Sequence, residues 1–163
     1  NDLDDLKTNT ILAALLIDES SNHEYFCHKY KVSNQIREFL DFMSKNLKKY
    51  KSDKNFFKKN LKKNIYFLGK KKLKDFALFI YLSNKKWSFK DLKNINENIE
   101  KMLIPKFPYD GKYLIEKGFS EGKKIGLILK ELEKQWIKNN CNLKEEDVLN
   151  IIKRSKKLEI FNI

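Results

Sequence analysis

Apolar residues recur at steps of three and four along nearly the whole chain, the spacing of helices that bury one face. Leu12, Leu15 and Leu16 close a first segment of this kind. Ser33 is placed to cap a second, in which Ile36, Phe39, Leu40, Met43 and Leu47 share a face. Asp53 is placed to cap a third. There Phe57, Leu61, Ile65 and Leu68 make one stripe, and Lys58, Lys59, Lys62 and Lys63 lie off it, the pattern of an amphipathic basic helix. The stretch 76–82 is apolar throughout, as a buried strand would be. However, Leu73, Phe76, Ala77 and Ile80 keep helical spacing and β-branched residues are sparse, so it reads as a core helix. Ser88 with Asp91 has the form of a capping box, opening a helix along Phe89, Leu92, Ile95, Ile99 and Met102.

The punctuation then changes. Both prolines (Pro105 and Pro108) and four of the five glycines (Gly111, Gly118, Gly122 and Gly126) fall within 22 positions. They mark an internal boundary between a helical region, 1–104, with a basic face, and a second helical region, 105–163. Beyond Pro108 the pattern predicts a short helix over 112–117 and a long one over 121–139, capped by Ser120. A last helix is capped by Asn142 with Glu145, and its first turn carries Glu145, Glu146 and Asp147 where the helix dipole favours acids. No internal repeat is visible. The expected fold is all-α, a bundle of about seven to nine helices.

Composition narrows the classes. The chain has 163 residues, of which 41% are hydrophobic, enough for a packed core. Two cysteines, Cys27 and Cys141, build no disulfide framework and point to a reducing, cytoplasmic setting. The longest apolar runs, 11–17 and 76–82, cover 7 residues each, against about 20 for a membrane helix. Acidic Asp2, Asp4 and Asp5 do not resemble a signal peptide, and a start at Asn1 suggests a piece of a longer protein.

Charge adds a direction. The formal net charge is +13, and the basic residues are lysines except for Arg37 and Arg154. With 17 asparagines beside them, A/T-rich coding could explain the lysine count, so only its distribution is informative. Residues 45–75 hold 13 lysines against Asp53 and Asp75, a net of +11. Residues 1–24 hold six acids against Lys7, a net of −5. One sector should therefore attract a polyanion, of which nucleic acid is the commonest. Its expected contacts are Lys58, Lys59, Lys62 and Lys63 on the basic helix, and Lys70, Lys71 and Lys72 on a loop after Gly69.

No catalytic or metal site emerges. His23 and Cys27 are four apart, but a zinc site needs about four ligands, so an ordinary helix surface is the better reading. Cys27 beside His28 does not make a catalytic pair, because neighbouring helical residues face different directions. Asp2-Leu3-Asp4 is better explained as acid in a first helical turn than as a magnesium pair. Phosphate-binding glycine loops are absent. Gly122 and Gly126, read inside a helix, cost about 1 kcal/mol each unless another backbone packs closely there. Ile125, Ile128, Leu129, Leu132 and Trp136 form a core stripe beside them. Lys123 and Lys124 in the first turn of that helix could meet a phosphate at its exposed N–H groups.

This second region carries a resemblance. Pro105-x-Phe107-Pro108-x-x-Gly111, Gly118, Gly122-x-x-Ile125-Gly126-x-x-Leu129, Glu133-x-x-Trp136-Ile137 and Glu145-Glu146-x-x-Leu149 resemble bacterial-type, class II CCA-adding tRNA nucleotidyltransferases. That family includes the related poly(A) polymerases. Val32-Ser33-Asn34 with Ile36 and Leu40 is a weaker upstream likeness. The chain departs at Tyr113, where the family has aspartate, and at Lys123, where it often has proline. The resemblance implies the helical body and tail that grip tRNA. The family's chemistry, with magnesium and nucleoside triphosphates, belongs to an N-terminal head whose motifs are not found here. Glu146-Asp147-x-x-Asn150 lacks the arginine of the family's nucleotide template. The expectation is a catalytically inactive, RNA-binding portion of such an enzyme. Its partners would be tRNA or another structured RNA and the head of the same parent chain, without a membrane role. The alternative is a helical protein-interaction module.

Overall fold

The structure, a computed structural model, describes the backbone of residues 2–120 and 122–160 and the side chains of 8–120 and 122–155. The side chains of Asp2-Leu3-Asp4, and Glu121, lie outside the described residues. Nine helices and no strand occur among the described residues: α1 Asp2–Leu16, α2 Asn22–Tyr30, α3 Asn34–Ser52, α4 Leu61–Leu68, α5 Lys70–Ser83, α6 Phe89–Lys101, α7 Gly111–Glu116, α8 Lys123–Lys138 and α9 Glu145–Ile160. The all-α expectation holds. The chain divides into two compact units, Asn1–Met102 and Leu103–Ile163.

In the first unit α5 is the central element. Its Leu73, Phe76, Ala77, Phe79 and Ile80 are buried, and α1, α3, α4 and α6 pack against it. Phe79 extends the stripe expected from spacing, so α5 is buried on more than one face. Ser33 caps α3, its hydroxyl accepting from the Ile36 N–H at 3.4 Å, and Leu40, Met43 and Leu47 are buried. The capping box of α6 is complete: the Ser88 hydroxyl accepts from Asp91 N–H, and the Asp91 carboxylate accepts from Ser88 N–H at 2.8 Å. In α1 the buried seam runs through Thr10 and Ala13 to Ile17, just past the helix end, while Leu15 is 78% exposed.

The third expected helix is shortened. Asp53 ends α3 instead of opening a helix, and 54–60 is a series of turns before α4. Phe56 and Phe57 are both buried. Adjacent buried pairs also occur within α5, so the pair by itself does not break a helix. The turns are held by polar side chains instead. Asp53 accepts from Asn55 N–H at 2.9 Å and from the Asn60 amide at 2.8 Å, and the Asn64 amide donates to the Phe56 carbonyl. Tyr50, Phe56, Phe57, Phe76 and Trp87 form a continuous aromatic cluster, with ring centroids 5.0–6.3 Å apart.

The second unit is built around Leu114, Phe119, Ile128, Leu132, Val148 and Ile152. Asp110 caps α7 by accepting from Tyr113 N–H at 2.9 Å. Phe107 meets the buried Trp136 edge-on at 5.4 Å and Tyr109 at 5.5 Å, so the aromatic residues after Pro105 close onto α8. Two details depart from the expected pattern. Gly122 is not inside α8 but immediately before it, at φ 139°, a conformation open to glycine and strained for other residues; Ser120 lies upstream of that position. Asn142 does not cap α9. Left-handed Asn140 and Cys141 turn the chain so that Lys144 precedes the helix, its carbonyl accepting from Asp147 and Val148.

Candidate nucleic-acid interface

The first unit carries a net charge of +9 and the second +4, and the span 45–75 alone accounts for +11. Local structure decides how those lysines are presented. Lys58 and Lys59 lie in the 54–60 turns, whereas Lys62 and Lys63 lie on the first turn of α4. The four therefore do not form one helical face, because the chain runs through turns, held by Asp53, Asn60 and Asn64, before α4 begins. Lys54, Lys58, Lys59 and Lys63 are exposed, and none makes an ion pair among the described residues. Asp53, the nearest acid in the chain, has its carboxylate occupied by Asn55 and Asn60.

Lys70, Lys71 and Lys72 are not on a loop. Gly69, at φ 78°, joins α4 to α5 by itself, so the three lysines form the first turn of α5. Three cations there oppose the helix dipole. Lys70 is partly neutralised: its Nζ lies 3.9 Å from the Glu100 carboxylate and donates to the Glu100 carbonyl at 2.6 Å, while Lys74 pairs closely with the same carboxylate. The hydrogen bond and charge of Lys74 hold Glu100 below the usual carboxylate range. Lys72 sits over the Phe42 ring, 5.6 Å from its centroid. Lys71 flanks Asp75, whose pKa is raised by burial and only partly lowered again by Lys71 and Lys74.

In the second unit, Lys123 is exposed and Lys124 half-buried in the first turn of α8, behind an N-cap glycine that supplies no side-chain hydrogen bond. The glycine pair does not admit another backbone. A Cβ at Gly126 would meet nothing within 4 Å, and one at Gly111 would make only an ordinary contact with Ile125 Cγ2 at 3.6 Å. His23 and Cys27 are not surface residues either. Both face inward and are buried, because α2 packs on α1 and α3. His23 Nε2 lies 3.8 Å from Asp41, and burial pushes the Cys27 thiol up. Among the described residues no group of three or more His, Cys, Asp or Glu could hold a metal ion, and no helix is long and apolar enough to cross a membrane.

Lysines that the spacing did not single out also matter. Lys54 and Lys86 are brought beside Lys58 around the aromatic cluster. The signal for Lys86 was its place next to Trp87, a basic residue beside a stacking-competent ring.

Comparison with known proteins places a likeness over part of the chain. A stretch of 59 residues, 36% of the chain, is 32% identical to "CCA tRNA nucleotidyltransferase 1, mitochondrial" of Homo sapiens. The same length is 30% identical to its counterpart in Mus musculus and 32% identical to that of Danio rerio. The chain covers 14% of the length of each of these relatives. No family model matches the chain, and no solved structure gives a significant match. Over that stretch the chain is similar to a CCA-adding enzyme.

Proposed function

We propose that this chain is an RNA-gripping helical portion of a tRNA nucleotidyltransferase, of the CCA-adding and poly(A) polymerase kind, that holds tRNA through its phosphates. Nucleotidyl transfer, with magnesium and nucleoside triphosphates, falls to a separate head, in a reducing compartment. The observation that carries the reading is the concentration of +11 in 45–75, with Lys54, Lys58, Lys59 and Lys63 exposed and without ion pairs among the described residues. Like charges crowded without acidic partners are unfavourable until a polyanion meets them. The partial likeness to CCA tRNA nucleotidyltransferases supports tRNA as that polyanion.

The test is tRNA binding by fluorescence anisotropy across a salt series. With about five phosphates neutralised, the log–log slope should lie near −3.5 to −4.5, at about 0.7–0.9 per phosphate. Changing Lys58, Lys59, Lys62 and Lys63 together to glutamine should leave the fold intact and weaken binding. It should also flatten the slope by up to about 0.9 for each phosphate that is no longer neutralised. No binding at low salt, or binding insensitive to salt, would favour a protein-interaction module, for which exposed Ile11 and Leu15, one turn apart on α1, offer apolar surface.

A further inference from the structure

An open cleft of about 580 Å³ lies within the first unit, where the 54–60 turns and the end of α3 face α6 and the 84–88 connection. This volume is within the range of small-ligand sites, about 300–1,000 Å³. Tyr50, Phe57 and Trp87 line it. The Trp87 indole donates through Nε1 to the Tyr50 hydroxyl at 3.2 Å, which fixes its plane. Tyr50 and Phe57 meet it at 78° and 66°, and among the described residues no ring lies parallel to it. Lys54, Lys58 and Lys86 surround these rings, all exposed and without ion pairs among the described residues. The only acid in the lining, Asp91, is engaged by Ser88 N–H and hydroxyl. Asn94 and Asn98, one turn apart on α6, complete the wall, and no hydrogen bond among the described residues engages their amides.

We propose that this cleft takes one unpaired base of a bound RNA. The base stacks on Trp87, its edge meets the donor and acceptor groups of Asn94 and Asn98, and the adjoining phosphates meet Lys54, Lys58 and Lys86. Aromatic rings, partnerless amides and cations in one concavity are the three things an unstacked nucleotide needs. An acidic peptide would use the lysines alone and leave the rings and amides idle. The inference deepens the phosphate-grip reading and rests on it, but adds a requirement of its own: discrimination between paired and unpaired RNA.

The experiment compares two RNAs of equal charge, a hairpin with a single-stranded loop and a blunt duplex, on wild type and on an N94A/N98A double variant. Both positions are exposed helical sites whose amides make no hydrogen bond among the described residues, so alanine preserves the fold. Wild type should bind the hairpin more tightly. The double variant should lose about tenfold on the hairpin and nothing on the duplex, with an unchanged salt slope on both. Equal binding of the two RNAs by wild type overturns the inference and leaves the phosphate grip standing, as does a double variant that behaves as wild type or loses both RNAs equally. Failure of wild type to bind either RNA at low salt overturns both readings.

Discussion

The two units carry their information in different residues. In Asn1–Met102 the loudest feature is charge, and charge sits on the surface, where periodicity does not place it. In Leu103–Ile163 the loudest feature is a run of proline, glycine and aromatic residues; its aromatic members turn inward, Phe107 onto Trp136 and Phe119 into the core beside Leu132, while Pro105, Pro108, Gly118, Gly122 and Gly126 are exposed. The aromatic residues of that run are thus framework. They say how that unit folds. The electrostatic part of the case for RNA rests on the other unit and on other residues, so packing in one and charge in the other can each fail alone.

The largest expected effect tests the framework side. Trp136 is buried, and its ring closes the 105–109 segment onto α8. Trp136→Ala should cost about 3–5 kcal/mol, enough to unfold a unit of this size. Hydrogen exchange should then show protection lost in 103–163 and kept in 1–102, and tRNA affinity should fall far less than in the lysine variant. Loss of protection in both units would break the comparison.

The glycines sharpen it. Gly122 and Gly126 are four apart in one motif, yet their surroundings demand opposite outcomes. Gly122 sits at φ 139°, so Gly122→Ala should cost about 1–3 kcal/mol through backbone strain alone, since nothing lies within 4 Å of its Cβ position. Gly126 lies inside α8, exposed and equally open, so Gly126→Ala should stabilise by about 0.5–1 kcal/mol. Urea midpoints for the two variants should move in opposite directions. A loss of stability at both would restore the close backbone approach that the spacing alone had suggested.

Helix identity was legible wherever one face is buried and a polar side chain caps the end, as in α3 and α6. It failed where tertiary packing overrode the period. Turns held by Asp53, Asn60 and Asn64, with Phe56 and Phe57 packed into the aromatic cluster, interrupt what Asp53 and the lysine spacing present as one helix, and a single left-handed glycine replaces the loop expected at Gly69. Those failures fall within the basic sector itself. Its composition was readable, but its geometry was not: Lys54 and Lys58 share a cleft with Lys86 and Trp87 only because the chain folds back on itself far along the sequence. Nothing local in Lys54 foretells that.

The smallest expected effect lies in the first unit and concerns one acid among the lysines. Burial raises the pKa of Asp75 above its ordinary value, and Lys71 and Lys74 offset this only in part. A carboxyl whose folded pKa is raised binds its proton more tightly in the folded chain than in the unfolded one. Its contribution to stability is therefore full below the unfolded pKa and is lost as pH rises through the folded pKa. At neutral pH the folded protein holds a carboxylate that burial disfavours. Asp75→Asn removes that charge, so the variant should melt above wild type at pH 7, and the gap should close as pH falls through the carboxylate range. The same substitution leaves Lys71 and Lys74 without this neighbouring acid, so it should also steepen the salt dependence of tRNA binding slightly. A variant that melts below wild type at pH 7 would mean that attraction to the two lysines outweighs burial, and that this part of the basic sector is neutralised from within.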